Sequence, residues 1–243
     1  MSGFDRLSRP YRWMEYLSFG RALERCRFYF LPQLASTRHA LLLGDGDGRF
    51  AERLLRALVD HGAPSSKAGD PSLAQETRPP KARRVVAVDS SAAMLALLRS
   101  RCAFADNLLA TYVADLSQGM PDVLRGEHFD LITTHFFLDC LTTEEVKRLV
   151  ADVRPRMTAD ARWIISEFAV PTRGAMRLPA WIVVRGLYLS FRLLTGLRAQ
   201  QLPDYRSALS AYGLVLQDQT VMLGGLLTAE LWRCEVRPEP LES

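Results

Sequence analysis

Residues 41–50 read LLLGDGDGRF, three glycines alternating with two aspartates directly after an apolar run. Glycines let a backbone come close to a ligand, but a carboxylate repels phosphate. A dinucleotide-binding loop needs G-x-G-x-x-G; counted from Gly44, the sixth position is Arg49, and the spacing is G-x-G-x-G. Further acids stand at Asp89, ending RVVAVD, and at Asp115, ending LATYVAD. A carboxylate offers several acceptor sites, so Asp89 suits ribose hydroxyls and Asp115 an exocyclic amino group of a base. Acids at Asp45, Asp47, Asp89 and Asp115, with no Lys or Arg in the loop before Arg49, suit a nucleoside ligand without a pyrophosphate. In ITTHFFLDCL, His135 and Asp139 are the candidates for a proton-accepting base.

These residues need elements to hold them. His39–Leu43 reads as a buried strand and Phe50–Val59 as a helix, with Gly62 a plausible stop. Arg84–Asp89 is a β-branched strand, followed by a helix over Ser91–Arg101 with Ser91 as N-cap. Leu109–Asp115, Phe129–Thr134 and Arg162–Phe168 are further strands, with a helix over Thr143–Val153. Strand and helix alternate from residue 39 to residue 168, which predicts parallel βαβ units. One or two helices are expected within residues 11–35. Residues 63–83, rich in Pro, Ser, Ala and charge, read as a mobile surface insertion rather than a domain boundary. An apolar helical region at 178–197 precedes a short helix near 204–211, and Gly213–Thr220 and Leu226–Val236 read as two closing strands. Ligands of such sheets bind beyond the carboxyl ends of the strands, where the glycine loop, Asp89, Asp115 and His135–Asp139 fall.

Length and composition fit one globular domain. The chain has 243 residues, 48% apolar and 24% charged, with a formal net charge of +4. Cys26, Cys102, Cys140 and Cys234 are scattered, and with His39, His61, His128 and His135 they make no metal motif, so no metal is expected and free thiols in a reducing, cytoplasmic compartment are. The opening MSGFDRLSRPYRWMEY carries charges and aromatics and does not read as a signal peptide. Residues 179–197 are interrupted by Arg185, Gly186 and Arg192, a poor membrane span.

The ordered blocks LLLGDGDG, VVAVDSSAAML, YVADL and FDLITTHFFLDCL resemble those of the class I S-adenosylmethionine-dependent methyltransferases. The resemblance covers residues 39–168 well and the ends loosely. It implies a Rossmann-like, doubly wound α/β fold with a seven-stranded mixed sheet, an N-terminal helical segment (residues 1–38) and an apolar helical cap (residues 169–211) between strands five and six. It implies S-adenosylmethionine as cofactor and S-adenosylhomocysteine as product. By it, Asp89 with Ser90 would bind the ribose, Met94 would pack on the adenine, and Asp115 with Leu116 would hold the adenine edge. Gly44, Gly46 and Gly48 would admit the methionine moiety, with Asp45, Asp47 and His135 beside it. The family places an acid two residues before the first glycine; here that position is Leu42, which leaves open whether Asp45 or Asp47 takes its role.

The stretch Thr134-His-Phe-Phe lacks the Asn/Asp-Pro-Pro-Tyr of amino-methylating members and looks like small-molecule methyltransferases, including those of quinone biosynthesis. No nucleic-acid partner is expected. From Phe168 to Pro203 there is no acid, and Trp181, Arg185, Tyr188, Arg192 and Thr195 share a helix face. A lid over a lipophilic or aromatic acceptor follows as a hypothesis, with the arginines serving an anionic group or an anionic membrane surface. Tyr11 and Trp13 are candidates for a second, N-terminal lid. Two rivals remain: a non-catalytic protein on the same fold that binds the cofactor or a partner, and a nicotinamide oxidoreductase, disfavoured by the glycine spacing.

Overall fold

The computed structural model describes residues 21–62, 83–169 and 202–235. Tyr11, Trp13, Arg185, Tyr188 and Arg192, the 178–197 region and the 63–83 insertion, apart from Arg83, lie outside these residues. The strands are β1 (His39–Leu43), β2 (Arg84–Asp89), β3 (Leu109–Val113), β4 (Phe129–His135), β5 (Met157–Phe168), β6 (Leu214–Met222) and β7 (Leu227–Cys234). The helices are α1 (Arg21–Arg27), α2 (Arg49–Gly62), α3 (Ala92–Arg101), α4 (Thr143–Val153) and α5 (Tyr205–Ala211).

The strands form one seven-stranded sheet in the order β3-β2-β1-β4-β5-β7-β6. Strands β1 to β5 pair in parallel, and β7 runs antiparallel to both β5 and β6. The expected mixed sheet is therefore present. Residues 40–43 are all buried, because helices cover both faces of the sheet. On one face Leu41, Leu43, Val86, Val88, Ile132, Trp163 and Ile165 pack against Val146, Leu149 and Val150 of α4 and Ala208 and Leu209 of α5. On the other, Ala40, Leu42, Val85, Ala87, Leu131 and Ile164 meet α1, α2 and α3 through Cys26, Phe50, Leu54, Leu95 and Leu98.

The helix starts follow from side chains that satisfy open N–H groups. Ser91 Oγ accepts from the Met94 N–H at 3.2 Å, as the sequence predicts. Thr142 and Glu145 form a reciprocal capping box at the start of α4. Asp204 accepts from the Ser207 N–H at 3.1 Å to start α5. Strand β4 runs one residue past the expected end, so His135 belongs to the strand itself. Strand β5 starts at Met157, five residues earlier than the sequence predicts, because Thr158 and Asp160 are polar and the stretch offers no clear apolar alternation.

Chain order reverses beside β1. Strands β2 and β3 extend the sheet to one side, and the chain then returns to place β4 on the other side. The β1/β4 boundary is thus the topological switch point, where open α/β sheets bind ligands. The register pairs Leu43 with Thr134, so Gly44 and His135 leave the sheet side by side.

Candidate functional site

The glycine loop opens the site. Gly44, Gly46 and Gly48 have φ of 68°, 60° and 80°, a region that L side chains rarely occupy. A Cβ on Gly44 would stand 2.3 Å from the Phe137 ring, and one on Gly48 2.5 Å from the Leu98 side chain. A Cβ on Gly46 would meet nothing within 4 Å. Two of the three glycines therefore permit packing as well as a turn, and the middle one faces open space.

The two aspartates of the loop have different tasks. Asp47 accepts from Arg49 Nε at 3.1 Å and from Arg101 Nη2 at 3.0 Å, and Arg101 Nε also donates to the Asp47 carbonyl at 2.9 Å. This carboxylate is neutralised by two guanidinium groups and braces the loop to the end of α3. Asp45 accepts from the Ala51 N–H at 2.9 Å through Oδ2, in the first turn of α2. Its Oδ1 is buried and has no hydrogen-bond partner among the described residues. Burial pushes this carboxyl up to about 6, against the opposing charge of Arg27.

Asp89 ties the loop to β2. Its Oδ2 accepts from the Gly46 N–H at 3.2 Å and its Oδ1 from the Ser91 N–H at 2.9 Å. Burial raises it above the usual carboxylate range although these N–H groups favour its charge. Each oxygen retains acceptor capacity. Ser90 beside it is exposed, and Met94 is half-buried one turn into α3. Asp115 is exposed and accepts from the Ser117 N–H at 3.0 Å, while the Leu116 side chain is in the core. Leu42, at the position where the family carries an acid, is fully buried in the apolar layer with Phe50 and Leu54 and has no polar role.

At the end of β4 the chain turns sharply. Phe136 has a φ of 55°, and its N–H donates to the Ser166 carbonyl at 2.7 Å. The turn that follows is held by a residue the sequence reading missed. Glu167 of β5, 1% exposed, accepts from the N–H groups of Phe137 at 3.0 Å and Leu138 at 2.8 Å through Oε1. Its Oε2 is buried with no partner among the described residues. Burial, then the charge of Asp139, raises Glu167 well above its ordinary value. Asp139 itself is pushed up to about 6 by burial, and its Oδ1 accepts from the Cys140 thiol at 3.5 Å. Glu167 alternates with Trp163 and Ile165 along β5, but both faces of this part of the strand are buried, so alternation alone does not single it out.

His135 stands behind the loop, 4% exposed, with its ring centroid 4.2 Å from that of Phe50. Its Nδ1 lies 2.9 Å from Ser166 Oγ, and that hydroxyl donates its proton to the Cys26 carbonyl at 3.2 Å. The hydroxyl has one proton, so it accepts from His135, and the imidazole is the Nδ1–H tautomer. Nε2 is thus a lone pair, buried with no partner among the described residues. Burial and the nearby Arg27 charge hold this histidine well below its usual pKa and therefore neutral. Arg27, at the end of α1, is 8% exposed and places its guanidinium 5.7 Å from the Phe136 ring centroid. No sequence signal pointed to it.

The arrangement brings Gly44–Gly48, Asp45, Asp89, His135 and Asp139 to the carboxyl edge of the sheet. Asp47 is there as a brace, and Asp115 and Leu116 lie past β3. Acceptor groups predominate, and the acids Asp45, Asp89, Asp139 and Glu167 are all held above their usual range. Such a site disfavours phosphate and favours a ligand with hydroxyl, amino or cationic groups. Among the described residues there is no cluster of three or more His, Cys, Asp or Glu suited to a metal.

No protein-family model and no curated protein matches the sequence. Solved structures do match in fold. The mitomycin 7-O-methyltransferase MmcR superimposes with a TM-score of 0.60 at 15% identity over 96% of this chain and 61% of that one. CalO1, a methyltransferase in calicheamicin biosynthesis solved with S-adenosylhomocysteine (SAH) bound, gives 0.57 at 18% identity over 92% of this chain and 56% of that one. A TehB-like SAM-dependent methyltransferase from Corynebacterium glutamicum gives 0.55 at 16% identity over 95% of this chain and all of that one. The chain thus spans about three fifths of the length of MmcR and CalO1. The fold is that of the class I, Rossmann-like methyltransferases, as the sequence blocks imply.

Proposed function

We propose that the protein is an S-adenosylmethionine-dependent methyltransferase acting on a small, lipophilic or aromatic acceptor. The observation that carries this reading is the bond from the Gly46 N–H to Asp89 at the switch point. It couples a glycine loop without a phosphate-binding cation to an acid with acceptor capacity left for a ribose diol. The reading is supported by the fold shared with methyltransferases, one of them solved with SAH.

When bound, the cofactor supplies an electrophilic methyl group on a sulfonium. The chain's own residues bind and align. Asp89 with Ser90 accepts from the ribose, Met94 covers the adenine, and the Asp115–Leu116 segment meets the adenine edge. Methyl transfer needs an acceptor atom in line and, for a hydroxyl, a place for its proton. Asp139 is the better proton acceptor of the two candidates, because burial brings it to about 6 while His135 is weakly basic. Glu167 is a positioning residue that holds the turn carrying Asp139 through the Phe137 and Leu138 N–H groups. Tyr11, Trp13, Arg185, Tyr188 and Arg192 are proposed to meet the acceptor, on a single cytoplasmic domain that can touch an anionic membrane. Among the described residues no helix is long and apolar enough to cross a membrane.

Incubation with methyl-labelled cofactor and fractionated host metabolites tests the activity. Label is expected in an organic-extractable small molecule, together with SAH. Tight binding of NADH without binding of SAH would overturn the assignment.

A further inference from the structure

Strand β6 ends the sheet order on one side, and among the described residues no strand pairs with its outer edge. Six of its nine residues are exposed. Eleven large apolar side chains are exposed among the described residues; five of them, Tyr212, Val215, Leu216, Val221 and Leu223, lie on β6 or within two residues of its ends. Such an edge offers a row of N–H and C=O groups to another strand, and proteins protect edges with Lys, Pro, bulges or a charge. The strand LVLQDQTVM has no Lys, Arg or Pro. Its protective devices are Asp218 and a register shift between Leu216 and Asp218, where β6 has one residue more than β7.

Both devices fit one partner, an antiparallel copy of the same strand. Gln217 is the extra residue: Leu216 shares the α5 face with Trp232, Asp218 the opposite face with Leu231, and Gln219 the α5 face with Glu230. A partner on the outer edge must make the same two-for-one allowance to keep faces matched. With Gln217 set aside, residues 214–223 read LVL-DQT-VML, apolar at both ends and polar in the middle. Pairing this stretch with its own reverse about Gln219 sets Leu216 opposite Val221, Val215 opposite Met222 and Asp218 opposite the Thr220 hydroxyl, each on matching faces. A register about Asp218 would set two acids face to face, which is destabilising. We propose that β6 pairs antiparallel with β6 of a second copy of this chain, about a twofold axis at Gln219, joining two sheets into one. The contact is isologous, so each pair occurs twice and the assembly closes at two copies. It is independent of the cofactor assignment.

Sedimentation velocity on the full chain over a concentration series tests it. The wild type is expected to be a concentration-dependent dimer. Val221→Lys, at an exposed position, sets a charge against Leu216 in both symmetric pairs and is expected to raise the dimer dissociation constant about tenfold or more. Val113→Lys, at an exposed residue of the opposite edge strand β3, is expected to leave that constant within about twofold. Mild oxidation reads the register. Adjacent antiparallel pairs alternate between wider and closer spacing, so Gln219→Cys, or a mixture of Asp218→Cys and Thr220→Cys chains, is expected to give an intermolecular disulfide. Val215→Cys, distant from its own copy in this register, is not. A monomeric wild type overturns the proposal and leaves the edge to some other extended segment. A dimer unchanged by Val221→Lys, or one that cross-links through Val215→Cys and not at 218–220, overturns it as well.

Discussion

At the scale of single residues, the glycine loop was the most legible feature and the acids around it were legible only in part. Spacing identified Gly44–Gly48 as a close-approach loop, but could not separate a bracing carboxylate from an available one. That difference depends on Arg101, which is 54 positions along the chain from Asp47. Glu167 and Arg27 were missed for the same reason: their partners come from other elements. The structure also ranks the glycines. Gly46→Ala is expected to cost about 1 kcal/mol, the price of a left-handed backbone alone. Gly44→Ala adds a collision with Phe137 and is expected to cost about 3 kcal/mol or more in urea unfolding. Equal losses at both positions would contradict this ranking. For the chemistry, Asp139→Asn is expected to slow methyl transfer by about a hundredfold or more while leaving SAH affinity unchanged. The wild-type rate is expected to rise with pH through about 6 as Asp139 ionises.

At the scale of elements, strands β1, β2 and β4 and helices α3 and α4 were readable because their apolar residues keep one period and their ends carry caps. The part played by α5 was not readable. It is fastened to the sheet by Glu230, which is fully buried at the middle of β7. Glu230 accepts from Tyr205 Oη at 2.9 Å, Arg206 Nε at 3.0 Å and Trp232 Nε1 at 2.8 Å. A sequence shows an acid in an apolar strand and gives no sign of the donors that make it tolerable. Glu230→Ala removes the acceptor used by these three residues and also by Thr228 and Gln219, and is expected to cost about 3 kcal/mol in chemical denaturation. A loss below about 1 kcal/mol would mean that α5 is held by apolar contacts through Ala208 and Leu209 instead.

At the scale of the whole molecule, the candidate site is carried at a cost to stability. Asp45, Asp89, Asp139 and Glu167 have folded-state pKa values above those of an unfolded chain. Between the ordinary carboxylate range near 4 and the raised values, the folded protein binds more protons than the unfolded one. These acids therefore make stability fall as pH rises through that window. The neutral histidines His39 and His135 pull the other way below about 6.5, so the wild-type curve mixes both signs. Comparison with Asp139→Asn isolates one acid. At about 1.4 kcal/mol per pKa unit, the substitution is expected to stabilise the protein by up to about 3 kcal/mol at pH 8. At pH 4 it should do almost nothing, as thermal melts at the two pH values would show. The same change should thus improve folding and impair transfer. The sequence displayed the acids but not this opposition, because burial is a property of the assembled sheet.

Strand order has a consequence for how the chain is made. Strand β7 follows β6 in sequence, yet it sits inside the sheet, between β5 and β6. Until residues 227–234 emerge from the ribosome, β6 has no place to dock and the backbone of β5 beside Glu167 lies open along one edge. The turn that Glu167 secures for Asp139 therefore gains its full backing only when β7, made after β6, slides into an interior slot. The sheet on this side closes from within, and the strand that backs the candidate site arrives after its outer neighbour.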